Sequence, residues 1–306
     1  VSAAAASVVR EAPPAAARPA QREPPASPAF RFVQSLAGEL SLGHVEIPSF
    51  PDIALRVRKV LADDNATPET IVRVIGSEPA LAARVLTLAN SAALNPSGSP
   101  VTGLRGAVTR IGFEMLRVTA VTFAMAQLRR APEFRGLEKP LTQLWTDSVQ
   151  LAAYAQVLAR RMTPLQPDAA MLTGLLHGIG KLYIITRASR HPELFADRQA
   201  FELILRDWHA NIARAVLENW GMPEEFVEAV HLFEDGTRDP RGLISLTDVL
   251  SVAHLFVTLG ESPARLAAGL GESRSAHRLQ VEQGPFEPII EEAQSELLAL
   301  RTALGD

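Results

Sequence analysis

Residues 167–185 read PDAAMLTGLLHGIGKLYII. Apolar side chains fall on every side of a helical projection, with almost no polar stripe. The segment therefore reads as one helix buried all round. A helix of that kind needs other elements packed around it. Gly174 and Gly178 are four residues apart and share a face. A mid-helix glycine costs about 1 kcal/mol relative to alanine, so close approach of a neighbouring helix is the expected reason for both. His177 lies in the same apolar run, where a histidine is usually satisfied by a buried carboxylate or carbonyl.

The flanking sequence supplies those neighbours, and nearly all of it is helical in pattern. LTQLWTDSVQLAAYAQVLARRM (141–162) carries Leu141, Leu144, Trp145, Ser148, Leu151, Ala152, Ala155 and Leu158 on one stripe. Downstream, one helix is expected around 195–207. HANIARAVLENWG (209–221) forms another that ends at a glycine cap and leads into MPEEFVEAVHLF. LISLTDVLSVAHLFVTL (243–259) is again apolar and buried, and a last helix is expected over roughly 286–303. Upstream, RFVQSLAGEL is a short entry helix. Ile53, Val57, Val60 and Leu61 have helical spacing behind Pro51. In NATPETIVRVIG, Thr67 is the expected N-cap, Pro68 the first helical residue and Gly76 the stop. SEPALAARVLTLANSAAL starts in the same way. VTGLRGAVTRIG and FEMLRVTAVTFAMAQL are two helices separated near Gly112. Strand-like alternation is nearly absent, and no fixed-period repeat occurs.

Composition agrees with a packed helical protein. Hydrophobic residues make up 47% of the 306 residues, and aromatics only 6%, so the core rests on Leu, Val, Ile and Ala. The net charge of −4 argues against a protein built mainly to neutralise phosphate backbones. Arg56, Arg58, Lys59, Arg73 and Arg84 are locally basic, but no aromatic interleaving supports single-strand stacking. There is no cysteine, hence no disulfide frame, zinc ribbon or thiol nucleophile, which fits a cytoplasmic setting. No uninterrupted apolar run of about 18 residues occurs, so a membrane span is not expected. Neither a GxxxxGK[ST] phosphate loop nor a GxSxG nucleophile elbow is present.

The opening VSAAAASVVREAPPAAARPAQREPPASP mixes alanine, proline and charge, with no continuous apolar core of a signal peptide. Residues 1–29 are expected to be a disordered tail or linker. A helical N-terminal subdomain is expected over 30–130 and a second over 141–306, with the polar, proline-bearing 129–140 between them.

Five strings then stand out in order: IPSFPDIALRVRKVL, SEPALAARVLTLANSA, VTGLRGAVTRIG, LLHGIGKL and ENWGMPEEFVEAV. Their order and spacing, over about residues 40–255, resemble the HDOD family, relatives of the HD and HD-GYP phosphohydrolases. The resemblance implies an all-α fold, with an N-terminal helical bundle packed on an HD-like helical half. It also implies a non-catalytic bacterial signalling module whose partners are signalling proteins such as diguanylate cyclases, sensor kinases or response regulators.

Active relatives hold a divalent metal in a ring of histidines and carboxylates, a donor set suited to lowering the pKa of bound water. Carried over by resemblance, that ring falls on Asp147 in LWTDSVQ, on His177 and Gly178 where the HD pair would stand, and on His209. The tandem histidines fall near Phe233 and Glu234, with His231 two residues early, and the last aspartate falls on Asp248 in SLTDVL. The central carboxylate is missing, because Gly178 has no side chain. The metal site therefore reads as degraded, no metal or other cofactor is expected, and no enzymatic activity is expected. Any metal would have to use Asp147, His177, His209 and Asp248. Two alternatives stay open: a metal-dependent phosphohydrolase or cyclic-dinucleotide phosphodiesterase with an altered ligand set, and a nucleic-acid-associated regulator. Oligomeric state stays open as well.

Overall fold

The computed structural model describes residues 27–43, 51–61, 63, 65–91, 94–95, 98–128, 131–236 and 242–304. The expected tail lies outside the described residues as far as residue 26. The described residues form helices and turns, with no strand among them. In chain order the helices are α1 (Pro28–Leu42), α2 (Asp52–Leu61), α3 (Pro68–Gly76), α4 (Pro79–Ala89), α5 (Leu104–Leu128), α6 (Glu138–Met162) and α7 (Pro167–Leu176). There follow α8 (Ile179–Ala188), α9 (Arg198–Asn219), α10 (Glu224–Leu232), α11 (Leu246–Leu259), α12 (Pro263–Glu272), α13 (Arg274–Leu279) and α14 (Glu287–Leu304). Short 3-10 turns cover Pro132–Phe134 and Pro192–Ala196.

Local chemistry explains most boundaries. Thr67 caps α3 by accepting from the Thr70 amide at 3.2 Å, with Pro68 in the first turn. α5 is broken at Gly112, whose φ of 75° only glycine adopts readily. α4 differs from expectation at its start. It begins behind Glu78, which makes no side-chain cap bond, so Pro79 alone sets the first turn.

α6 is the axis of the later half, packed against α7, α8, α11 and α14. It is more than the one-sided stripe expected. From Ser148 to Ala159 every side chain except half-buried Gln150 is buried. Alanines at 152, 153, 155 and 159 make this feasible, because they let neighbours approach from several directions. Gly174 serves the same end: a Cβ there would sit 2.6 Å from the Ala152 Cα, so α6 and α7 touch backbone to backbone.

Three sequence expectations are corrected. The helix expected to run unbroken through 167–185 is two, α7 and α8, with His177 closing the first and Gly178 opening the second. An all-round apolar pattern carries no phase, so nothing in it marked the break. The two helices expected around 195–207 and 209–221 are one, α9. α12 and α13 were not foreseen, since PARLAAGLGE is rich in alanine and glycine and weak in periodicity.

Pro167–Ala188 is long and apolar enough to cross a membrane by length and composition, yet 89% of its apolar window is buried inside the protein. The fold uses it as core. α2 to α5 pack on one another, and α4 meets α14 while α5 meets α7. α1, grouped by chain order with the N-terminal subdomain, packs instead on α9 and the turn at Pro192–Ala196. Its Glu39 accepts from the Tyr183 hydroxyl and the Arg187 guanidinium, both on α8.

Candidate functional site: a histidine and carboxylate cluster

The cluster forms where α8, α9 and the end of α10 meet α11. Gly180 makes it possible. A Cβ at Gly180 would fall 2.0 Å from the His209 carbonyl oxygen, so only glycine lets α8 lie this close to α9. That approach puts Lys181 and His209 beside the turn after α10, which carries Phe233 and Glu234. The Ser251 hydroxyl of α11 donates to the Phe233 carbonyl at 2.8 Å and ties the turn down.

Glu234 is the hub. One carboxylate oxygen lies 2.9 Å from His209 Nε2, and the other accepts from Lys181 Nζ at 3.2 Å. Burial alone would raise the Glu234 pKa. The His209 hydrogen bond and the Lys181 charge outweigh burial and hold the carboxyl well below the usual range. His209 is 3% exposed, and its Nδ1 is buried without a hydrogen-bond partner.

His177 is the second buried histidine of the cluster. Its Nδ1 is 2.8 Å from the Gly174 carbonyl, which selects the tautomer that carries hydrogen on Nδ1. Burial pushes its pKa down to about 3, only partly opposed by that hydrogen bond. The ring packs edge-on against Phe233, centroids 5.7 Å apart, and Phe233 packs edge-on against His254 at 5.3 Å. Burial also lowers the His254 pKa, while Glu234 pulls it the other way. A cleft of about 310 Å³ opens beside Phe233, Glu234 and His254 and is bounded by Arg274.

Of the residues expected from sequence, His177, His209, Phe233 and Glu234 therefore gather, while Gly178 faces Leu144 and Ser148 of α6. Asp147 lies at the edge. Its charge is felt by His254, but its Oδ1 accepts from Gln143 at 2.8 Å. His231 faces away, 3.2 Å from Asn211 Oδ1. Asp248 is the clear departure. It is fully buried at the third position of α11 and closes a capping box with Ser245, whose amide donates at 2.9 Å. The Ser275 hydroxyl donates to it at 3.0 Å, and Arg278 Nε lies 3.3 Å away. Its oxygens are engaged in stapling α13 to the start of α11.

Sequence reading grouped Lys181 with His177 and Gly178 but missed its ion pair with Glu234, and it missed His254 altogether. A histidine in the apolar run LSVAHLF was a signal, but the ring that makes it matter, Phe233, is remote in sequence. The Asp248 role was readable, because S-L-T-D ahead of an apolar run is a capping-box pattern.

The described positions carried over from the metal ring differ in their surroundings. A Cβ at position 178 would meet Leu144 Cδ1 at 2.7 Å and Ser148 Oγ at 3.1 Å, so side chains of α6 crowd the glycine. Asp248 is turned to its cap. Among the described residues, no group of three or more His, Asp or Glu side chains is arranged to hold a metal.

Comparison with known proteins agrees with this fold. Residues 47–235 match the HDOD domain model, and the chain belongs to the HDOD domain family. A solved structure from Shewanella amazonensis SB2B, provisionally named a metal-dependent phosphohydrolase, is 25% identical. It aligns over 89% of this chain and 99% of its own, with a TM-score of 0.69. An HDOD domain protein of unknown function from Geobacter sulfurreducens is 23% identical, over 89% of this chain and 98% of its own, with a TM-score of 0.57. A curated uncharacterized protein of Treponema pallidum (strain Nichols) is 22% identical over 71% of this chain, which spans 44% of that protein's length.

Proposed function

We propose that this chain is a regulatory HDOD module that does not hydrolyse phosphoesters and acts by binding another protein. The observation that carries the reading is the crowding of Gly178 by Leu144 and Ser148 of α6, at the position where the family's central ligand would stand. Asp248 supports it, because its lone pairs serve the capping box, Ser275 and Arg278. The His209–Glu234–Lys181 chain then acts as an internal brace that fixes α8, α9 and the α10 turn together. By resemblance to the family, the partners are signalling proteins such as diguanylate cyclases, sensor kinases or response regulators.

A second reading is a phosphohydrolase or cyclic-dinucleotide phosphodiesterase with an altered ligand set. It is favoured by likeness to the Shewanella amazonensis protein and by the proximity of His209 to Glu234. Hydrolysis assays decide between the two, using a phosphodiester and a panel of nucleotides with Mn²⁺, Fe²⁺, Zn²⁺ or Mg²⁺. The expected rate equals that of the His177→Ala, His209→Ala double variant. Turnover that depends on both histidines contradicts the first reading. A nucleic-acid role finds little support in the basic N-terminal residues: Arg56 pairs with Asp52, and Arg84 lies over the Phe123 ring.

A further inference from the structure

A groove of about 740 Å³ lies on the later half, away from the cluster's cleft, between the start of α6 and the start of α9 with the turn before it. Its apolar lining includes Phe195, Phe201 and Leu205. Phe195 is 36% exposed, an unusual position for a phenylalanine with a partner ring, Phe201, only 5.0 Å away. Its rim is basic: Arg135, Lys139 and Arg198 line it with one carboxylate, Glu202, which Arg198 already engages at 2.8 Å. Lys139 has no ion-pair partner among the described residues. This local excess of positive charge stands on a chain whose net charge is −4.

We propose that this groove docks an acidic segment of a partner protein, anchored by aromatic or leucine side chains on the phenylalanine pair. The inference deepens the interaction reading above and rests on it. Charge complementarity selects the occupant. An apolar floor with a cationic rim favours a segment that alternates carboxylates with large apolar residues, since rim charges steer the encounter and apolar anchors hold it. The chain's own N-terminal residues match it poorly, because Arg10, Arg18 and Arg22 outnumber Glu11 and Glu23 there. Two of its lining residues connect to the cluster's surroundings. Gln143 lines it and holds Asp147, and Leu205 precedes His209 by one turn of α9. A docked segment therefore contacts α6 and α9, both of which pack against α8.

The test uses the full chain and a fluorescent synthetic peptide alternating Glu with Leu and Phe, with the Lys-for-Glu peptide as its counterpart. Binding is read by anisotropy. The acidic peptide binds with micromolar affinity, and the basic one does not. Joint Arg135→Glu and Lys139→Glu substitution weakens binding at least about tenfold. Phe195→Ser weakens it too, with circular dichroism unchanged in both variants. No binding up to about 1 mM overturns the proposal. So does equal binding by the charge-reversed variant, displacement of the peptide by ATP at lower concentration, or tighter binding once residues 1–26 are removed. Metal-dependent hydrolysis would defeat the regulatory reading through an independent assay, leaving these titrations to judge the groove.

Discussion

Glu234 and Asp248 are two buried or half-buried carboxylates set about the same helix, α11, and their surroundings give them opposite characters. Asp248 is enclosed completely and bonded on all sides by groups of its own cap and of α13. Glu234 is 31% exposed, lies at the mouth of a cleft and binds a lysine and a histidine that come from two other helices. One carboxylate has become structural cement. The other stays in a polar, partly open setting where its partners can rearrange. Motif position alone would have ranked them the other way round, with Asp248 as the retained ligand and Glu234 as the substitution.

Four measurements bear on that contrast, all read by denaturant unfolding. Asp248→Ala has the largest expected effect, a loss of about 3 kcal/mol, because it removes a helix cap and leaves Arg278 facing an uncompensated buried gap. A loss under about 1 kcal/mol, the scale of a surface cap, would show that the Asp248 network carries little of the fold.

Gly180→Ala follows, at about 2–3 kcal/mol, since the new Cβ meets the backbone of α9 and not a side chain that could rotate away. Unchanged stability would mean that the α8–α9 contact is looser than described, and with it the Glu234 brace.

His177 supplies a pH test. Its folded pKa, about 3, lies below the ordinary histidine value of 6.5. Below pH 6.5 the unfolded chain takes up a proton that the folded chain refuses. Stability therefore falls as pH drops from 6.5 towards 3. His177→Gln should flatten the slope in that window, and a slope identical to the parent's would place His177 in a wetter setting. Glu234 acts in the same direction at lower pH: its pairing stabilises the fold above its unfolded value and is lost on further acidification. The smallest effect is Lys181→Met, under about 1 kcal/mol, as suits a partly exposed ion pair. A loss matching Asp248→Ala would erase the distinction between the two carboxylates.

The sequence disclosed this molecule unevenly, for physical reasons. Caps and breakers act locally, so Thr67, Pro68 and the Gly112 break were legible. The all-helical class followed from periodicity, and the HDOD resemblance led to His177, His209, Phe233 and Glu234. What stayed hidden depends on tertiary contact. The break at His177–Gly178 lies in an apolar run without phase. The need for glycine at 180 comes from the His209 carbonyl opposite. His254 matters only because Phe233 folds against it.

The central claim is that α6 packing at Gly178 and the cap at Asp248 leave no metal site. Elemental analysis tests it most directly, on protein purified without chelator or affinity histidines, incubated with Mn²⁺, Fe²⁺, Zn²⁺ and Mg²⁺ and then desalted. The account predicts less than about a tenth of an equivalent of any metal. One or two equivalents retained by the parent and lost on His177→Ala or Asp248→Ala would contradict it.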